Sequence, residues 1–424
     1  MTSSRVGLFG LFGSGNVGND GSLVALLDHL RADRPEAEVD ALCGGPETVT
    51  ARYGIPAARL HWFRGEYRTA ARPGDILGKG VGKLVDAFRI AAWVRRHDVV
   101  LVPGTGILES TLPLRPWGMP YSLFLVCAAG RLLRTPVALV GVGASETGSR
   151  PVRVLTRWAA RLAAYRSYRD TLSRDAIRAM GVDTRHDEVY ADLVFALPTP
   201  PPGDSSGPAG PVCVGVMDFG GSNDERDRAD ELRRRYLDGM TRFVRALAAE
   251  GRPVRLLTGD DVDRPVTEAI LEAVDSPLVT AAATASLGDL MKEMAVADTV
   301  VATRYHNLVC ALKVGTPALA VSYAAKSDRL MADMGVGEHC HPARDIDAGL
   351  LLEQFHALER NRAEVRRTLV EGNPVLAGRV RRQFEALNAL LPASGAAPDP
   401  DPDPDPGPDP GPGPGPGPAR QETS

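Results

Sequence analysis

The stretch V-V-A-T-R-Y-H-N-L-V-C-A-L-K-V-G-T-P-A-L-A-V-S-Y, residues 300–323, places Arg304 and His306 at the seam between an apolar run and an apolar helix-like segment. Chains usually turn there with Gly, Asn or Asp. A guanidinium, an imidazole and the free amides of a helix start converge on one point, which suits an anion. His306 can also serve as a proton donor, because an imidazole titrates near neutral pH. Its alternative role is that of a structural hydrogen-bonder. Tyr323 and Lys326, beyond the next strand-like run, add a hydroxyl and a second cation from the same edge.

Ser167-Tyr168-Arg169-Asp170 stands at another strand end. A guanidinium grips a carboxylate or phosphate in a bidentate manner, so Arg169 is a candidate ligand for the same anion. An ion pair with Asp170 or Asp175 is the alternative. Gly13-Ser14-Gly15-Asn16-Val17-Gly18 fits a G-x-G-x-x-G loop, in which Gly15 and Gly18 let backbone amides approach a bound group. A tight turn, with Asn16 and Asp20 capping the next helix, explains it equally. NAD is disfavoured, since the second strand ends in Cys43-Gly44-Gly45 and offers no acid for a ribose. Gly104-Thr105-Gly106 follows a further buried run, where small residues permit close approach of a ligand or simply close packing.

The elements that must position these residues alternate. R-V-G-L-F-G-L-F, E-V-D-A-L-C, D-V-V-L-V-P-G, P-V-A-L-V-G-V-G, V-C-V-G-V-M-D-F, P-V-R-L-L-T-G, A-D-T-V-V-A-T and P-A-L-A-V-S-Y read as strands, with helical spacing between them. Such alternation predicts parallel sheets with right-handed crossovers, hence two Rossmann-like domains facing a cleft. The expected divisions are an N-terminal domain over 1–197, a Pro/Gly/Ser-rich linker over 198–210, a C-terminal domain over 211–392 and a tail over 393–424. From Pro398 to Pro418 proline takes every second position, which predicts an extended, solvated chain.

Composition narrows the class. The chain of 424 residues is 44% hydrophobic and 24% charged with a formal net charge of -4, so nucleic acid is not an expected partner and any anion site must be local. Cys43, Cys127, Cys213, Cys310 and Cys340 form no C-x-x-C pair, and Glu338-His339-Cys340-His341 is too local to close a coordination sphere, so no metal is expected. A reduced, cytoplasmic protein without a membrane span is the expectation, because the apolar region 121–144 is broken by Arg131, Arg134 and Pro136.

G-S-G-N-V-G-N-D-G-S-L, S-Y-R-D-T-L-S-R-D-A-I-R-A-M-G-V, Y-A-D-L-V-F-A-L-P and above all R-Y-H followed by G-T-P, S-Y and K resemble the polysaccharide pyruvyl transferase family, over residues 5 to about 390. The resemblance implies a GT-B-like fold with no cofactor, phosphoenolpyruvate as donor and a sugar or polysaccharide acceptor that receives a pyruvyl ketal. It implies that Arg169, Arg304 and His306 bind and activate the donor, with the donor on the side of the C-terminal domain and the acceptor on the N-terminal side. Two departures fall on that side: Asn19 is inserted before Asp20 in the N-x-G-D loop, and the triple-glycine turn reads Gly104-Thr105-Gly106. Asp20, Asp170 and Asp192 are all open as the base toward the acceptor hydroxyl. A GT-B glycosyltransferase using a nucleotide sugar is the nearest alternative, and a non-catalytic scaffold tethered by its tail is another.

Overall fold

The computed structural model describes residues 4–63, 73–104, 106–109, 115–201 and 210–391, with side chains 73–77, 223 and 224 left aside. Thr105, most of the expected linker and the Pro-rich tail lie outside the described residues.

Two parallel sheets form from the apolar runs. The first contains β1 (Arg5–Gly10), β2 (Glu38–Cys43), β3 (Ala57–Arg59), β4 (Val99–Pro103), β5 (Val137–Val142), β6 (Tyr165–Tyr168) and β7 (Glu188–Val189), in the order β3-β2-β1-β4-β5-β6-β7. The second contains β8 (Val212–Val216), β9 (Val254–Thr258), β10 (Val279–Ala281), β11 (Thr299–Ala302), β12 (Ala318–Ser322) and β13 (Cys340–Pro342), in the order β10-β9-β8-β11-β12-β13. Strands covered by helices on both faces need apolar residues at nearly every position, and β4, β5, β8 and β11 are buried throughout. Each sheet reverses its strand order once, between β1 and β4 and between β8 and β11. Such switch points open a crevice at the carboxyl ends of the strands.

The two crevices meet. Asn16, after β1, forms an isolated antiparallel bridge with Asp260, after β9. Val17 N donates to Gly259 O at 3.2 Å, Asp261 N donates to Gly15 O at 3.2 Å, and Asn16 Nδ2 donates to Asp260 Oδ2 at 2.7 Å. Gly15 has φ +96° and a Cβ there would lie 2.7 Å from Asp261 Oδ2, so this contact between the halves requires glycine.

The last helix, Arg362–Asn388, returns to the first sheet although it belongs by sequence to the second half. Gln383 Nε2 donates to Ser167 Oγ at 2.9 Å, Phe384 stacks on His29 with ring centroids 4.3 Å apart, and Asn388 Oδ1 bonds His29 Nε2 at 2.9 Å. No helix among the described residues is long and apolar enough to cross a membrane.

Candidate active site

Arg169 follows β6 and is almost completely buried, its side chain 1% exposed. It reaches Glu109, in the loop after β4, through Nη2, and lies 3.5 Å from both Asp170 Oδ2 and Asp192 Oδ2. Its guanidinium sits 4.2 Å from the centroid of the Tyr305 ring, which comes from the other sheet. Lys326, at the helix start after β12, donates from Nζ to Glu109 Oε2 at 2.5 Å. One carboxylate therefore joins a cation from each half, one on each oxygen. Burial alone would raise the Glu109 carboxyl, yet Lys326 and then Arg169 hold it down at about 2.

His306 lies beside this triad in the first turn of the helix Tyr305–Lys313. Its Nε2 is 3.8 Å from Asp192 Oδ2 and has no hydrogen-bond partner among the described residues. Gly18 backs the ring so closely that a Cβ would fall 2.0 Å from Nδ1. Burial lowers the imidazole pKa to about 4, Asp192 opposes this, and Arg169 and Lys326 push it further down. The imidazole is thus held well below its ordinary range, which favours the neutral ring.

Arg304 precedes the same helix but turns toward the loop after β9. Its Nε and Nη2 donate to Asp263 Oδ2 and Oδ1 at 2.8 and 2.6 Å, and Nη1 is 3.9 Å from Asp260 Oδ2. Asp263 is fully buried and keeps Arg304 charged. The convergence expected of Arg304 and His306 is therefore divided: His306 joins Arg169 and Lys326, whereas two faces of the Arg304 fork are engaged by an acid. Tyr323 stands beside Lys326, its ring centroid 5.2 Å from Nζ.

Residues 16–324, well over half of the chain, match the family model for polysaccharide pyruvyl transferases. The chain belongs to that family. No curated protein sequence matches it. Among solved structures, Staphylococcus aureus MnaA with UDP superposes at TM-score 0.60 with 10% identity, over 92% of this chain and 98% of that one. UDP-GlcNAc 2-epimerase of Neisseria meningitidis bound to UDP-GlcNAc does so at 0.57 with 11% identity, over 91% and 100%. Acinetobacter baumannii MurG follows at 0.52 with 12% identity, over 91% and 99%. At such identities these likenesses show the fold alone, and that fold is GT-B-like.

In this pyruvyl transferase family member the N-terminal loop is organised around its own backbone. Asn16 Oδ1 accepts from Gly18 N at 3.0 Å and Asn19 N at 3.3 Å, capping the helix Val17–Asp33. Asp20 does not cap it: the carboxylate accepts from Gly13 N at 2.7 Å and from the Tyr53 hydroxyl at 3.0 Å. Asp170 Oδ1 caps the next helix by accepting from Ser173 N at 2.7 Å, and Asp192 Oδ1 likewise accepts from Val194 N at 3.1 Å, so only the Oδ2 of each is turned to the cluster. Of the candidate bases only Asp192 faces both His306 and Arg169. Gly104 has φ +47° and packs on Ser22, while a Cβ on Gly106 would lie 2.6 Å from Glu109 Oε2. Thr105 falls between them, outside the described residues.

Sequence reasoning missed Glu109, Asp263 and Gly143. Glu109 is the one acid in V-P-G-T-G-I-L-E-S, and an acid in an otherwise apolar loop was the available signal. Gly143 admits the Arg169–Glu109 pair, since a Cβ would lie 2.6 Å from Glu109 Oε1 and 2.7 Å from the guanidinium. Asp263 carries no pattern that ties it to Arg304, 41 residues away.

Proposed function

We propose that the protein transfers the enolpyruvyl unit of phosphoenolpyruvate onto a saccharide acceptor as a cyclic ketal. The observation that carries this reading is the pair of cations, Arg169 and Lys326, meeting across the cleft on the single carboxylate of Glu109 beside His306. Their spacing fits one small anionic group, and phosphoenolpyruvate carries two such groups on a three-carbon frame. The acids of the cluster, Glu109, Asp170 and Asp192, already neutralise these cations. A donor anion therefore binds by taking over donors from Glu109, with charge-assisted hydrogen bonds replacing charge-assisted hydrogen bonds.

In this reading His306 is the acid. Neutral beside Arg169 and Lys326, it gains a proton as the donor's anionic groups approach, because opposite charge favours the imidazolium. Transfer of that proton to the methylene carbon leaves positive charge on C2. An acceptor hydroxyl forms the first C–O bond as Asp192 takes its proton, phosphate leaves with its bonding electron pair to regenerate positive charge on C2, and a second hydroxyl closes the ketal as its proton passes to the departed phosphate. Arg304 is a positioning residue: its fork on Asp263 fixes the turn from which Tyr305 and His306 project. The glycine loop, through Asn16 and Asp260, fixes the two halves around the site.

The test is incubation with phosphoenolpyruvate and candidate saccharides, measuring phosphate release together with acceptor mass. The expected result is phosphate release with gain of a pyruvyl ketal on the acceptor. Consumption of a nucleotide sugar without use of phosphoenolpyruvate would overturn the reading in favour of glycosyl transfer.

A further inference from the structure

A buried lysine normally has a carboxylate partner. Lys313, which ends the helix Tyr305–Lys313, is 8% exposed and has none among the described residues. Its Nζ donates instead to Phe195 O at 3.0 Å, from the second half of the molecule to the first and across 118 residues of chain. Burial pushes the amine down to about 8, opposed by Cys310 on the same helix. The end of its own helix does not need this cation. Val314 N, Thr316 N and Asn373 Nδ2 already bond the last carbonyls, those of Cys310, Ala311 and Leu312.

His306, Cys310 and Lys313 recur at spacings of four and three, so they share one face of the helix. The 3-10 turn Leu193–Ala196 lies along that face. At its start Asp192 Oδ2 is 3.8 Å from His306 Nε2, and toward its far end Phe195 O receives Lys313. Between them Cys310 is fully buried, and after burial it is Asp192 that raises its thiol. The turn is closed on Asp192, since Phe195 N donates to Asp192 O at 3.0 Å and Val194 N to Asp192 Oδ1 at 3.1 Å. A shift of Phe195 is therefore passed to the Asp192 carboxylate within a single turn.

We infer that Lys313 is a positioning residue that holds Asp192 against His306. The helix bearing the imidazole clamps the turn bearing the carboxylate at both ends, so the two stay in register although they belong to opposite halves. This role rests on the reading of Asp192 as the base toward the acceptor hydroxyl. Losing the clamp then lowers the rate of the chemical step more than the affinity for the donor.

The experiment measures turnover with phosphoenolpyruvate and a saccharide acceptor, together with the ring-nitrogen resonances of His306. Lys313→Met, in the folded full chain, should lower kcat on the order of tenfold or more and keep KM for phosphoenolpyruvate within about threefold. Lys313→Arg, which keeps a cation of sufficient reach, should recover most of the loss. Added to Asp192→Asn, Lys313→Met should cost little more, because both act through one carboxylate. Where Lys313→Met folds poorly, Lys313→Gln carries the same comparison. Without any substrate, Lys313→Met should shift the His306 resonances in the direction in which Asp192→Asn shifts them. Unchanged kcat and resonances in a folded variant, or losses that simply add to those of Asp192→Asn, would overturn the inference and leave the donor reading standing. A wild-type chain that does not use phosphoenolpyruvate would overturn the donor reading, and the resonances would then decide by themselves whether Lys313 places Asp192.

Discussion

Gly18 and His306 come from opposite halves of the molecule and touch where neither could be larger: a Cβ on Gly18 would lie 2.0 Å from the imidazole Nδ1. The ring is thereby set between the N-terminal loop and Asp192. Gly18→Ala should displace it, lowering turnover by on the order of a hundredfold while costing about 1–3 kcal/mol of stability. Steady-state rates and thermal melts of the same preparation check both parts.

Burial of neutral His306 has a signature in acid. Its folded pKa, about 4, lies below the ordinary 6.5, so the unfolded chain binds the proton first and stability falls as pH drops through that window. The full loss is about 3 kcal/mol, reached near the lower value. His306→Gln should flatten this limb of the melting-temperature profile. Glu109 acts in a lower window: its folded value of about 2 lies below 4.5, so its contribution is present above 4.5 and lost as pH falls toward 2. Glu109→Gln should remove that lower limb and, because the Glu109 carboxylate favours the imidazolium, also push the His306 value further down and shift the upper limb.

The Arg304–Asp263 fork predicts a stability effect. Arg304→Ala strands a fully buried carboxylate and should cost about 3–5 kcal/mol. Adding Asp263→Ala should recover much of this, because no uncompensated charge then remains. Denaturant melts of the two single variants and the double variant measure the coupling directly. Donor affinity of the folded double variant should stay within about tenfold of wild type, as befits a positioning residue.

The parallel sheets were legible because strands covered on both faces must be nearly continuously apolar, and β4, β8, β11 and β12 all are. The strand-end residues Arg169, His306 and Lys326 were legible for a related reason: a charge beside a buried run calls for a partner. The partners themselves were not. Glu109 and Asp263 meet their arginines only after the chain has folded, at separations of 60 and 41 residues. The direction in which Arg304 turns depends on the buried Asp263, and the His306 pKa depends on burial and neighbouring charge; no local pattern encodes either. The returning helix Arg362–Asn388 was likewise hidden, because its contacts with His29 and Ser167 are long-range and polar.

The central claim is that Arg169 and Lys326 form the anion grip for phosphoenolpyruvate, and calorimetric titration of the donor tests it most directly. Wild-type protein should bind phosphoenolpyruvate in preference to nucleotide sugars. Lys326→Met should weaken that binding on the order of thirtyfold or more, corresponding to loss of a charge-assisted contact of about 2 kcal/mol or more, with the protein still folded. Phosphoenolpyruvate binding that is absent in wild type, or unchanged in folded Lys326→Met and Arg169→Lys variants, would contradict the account.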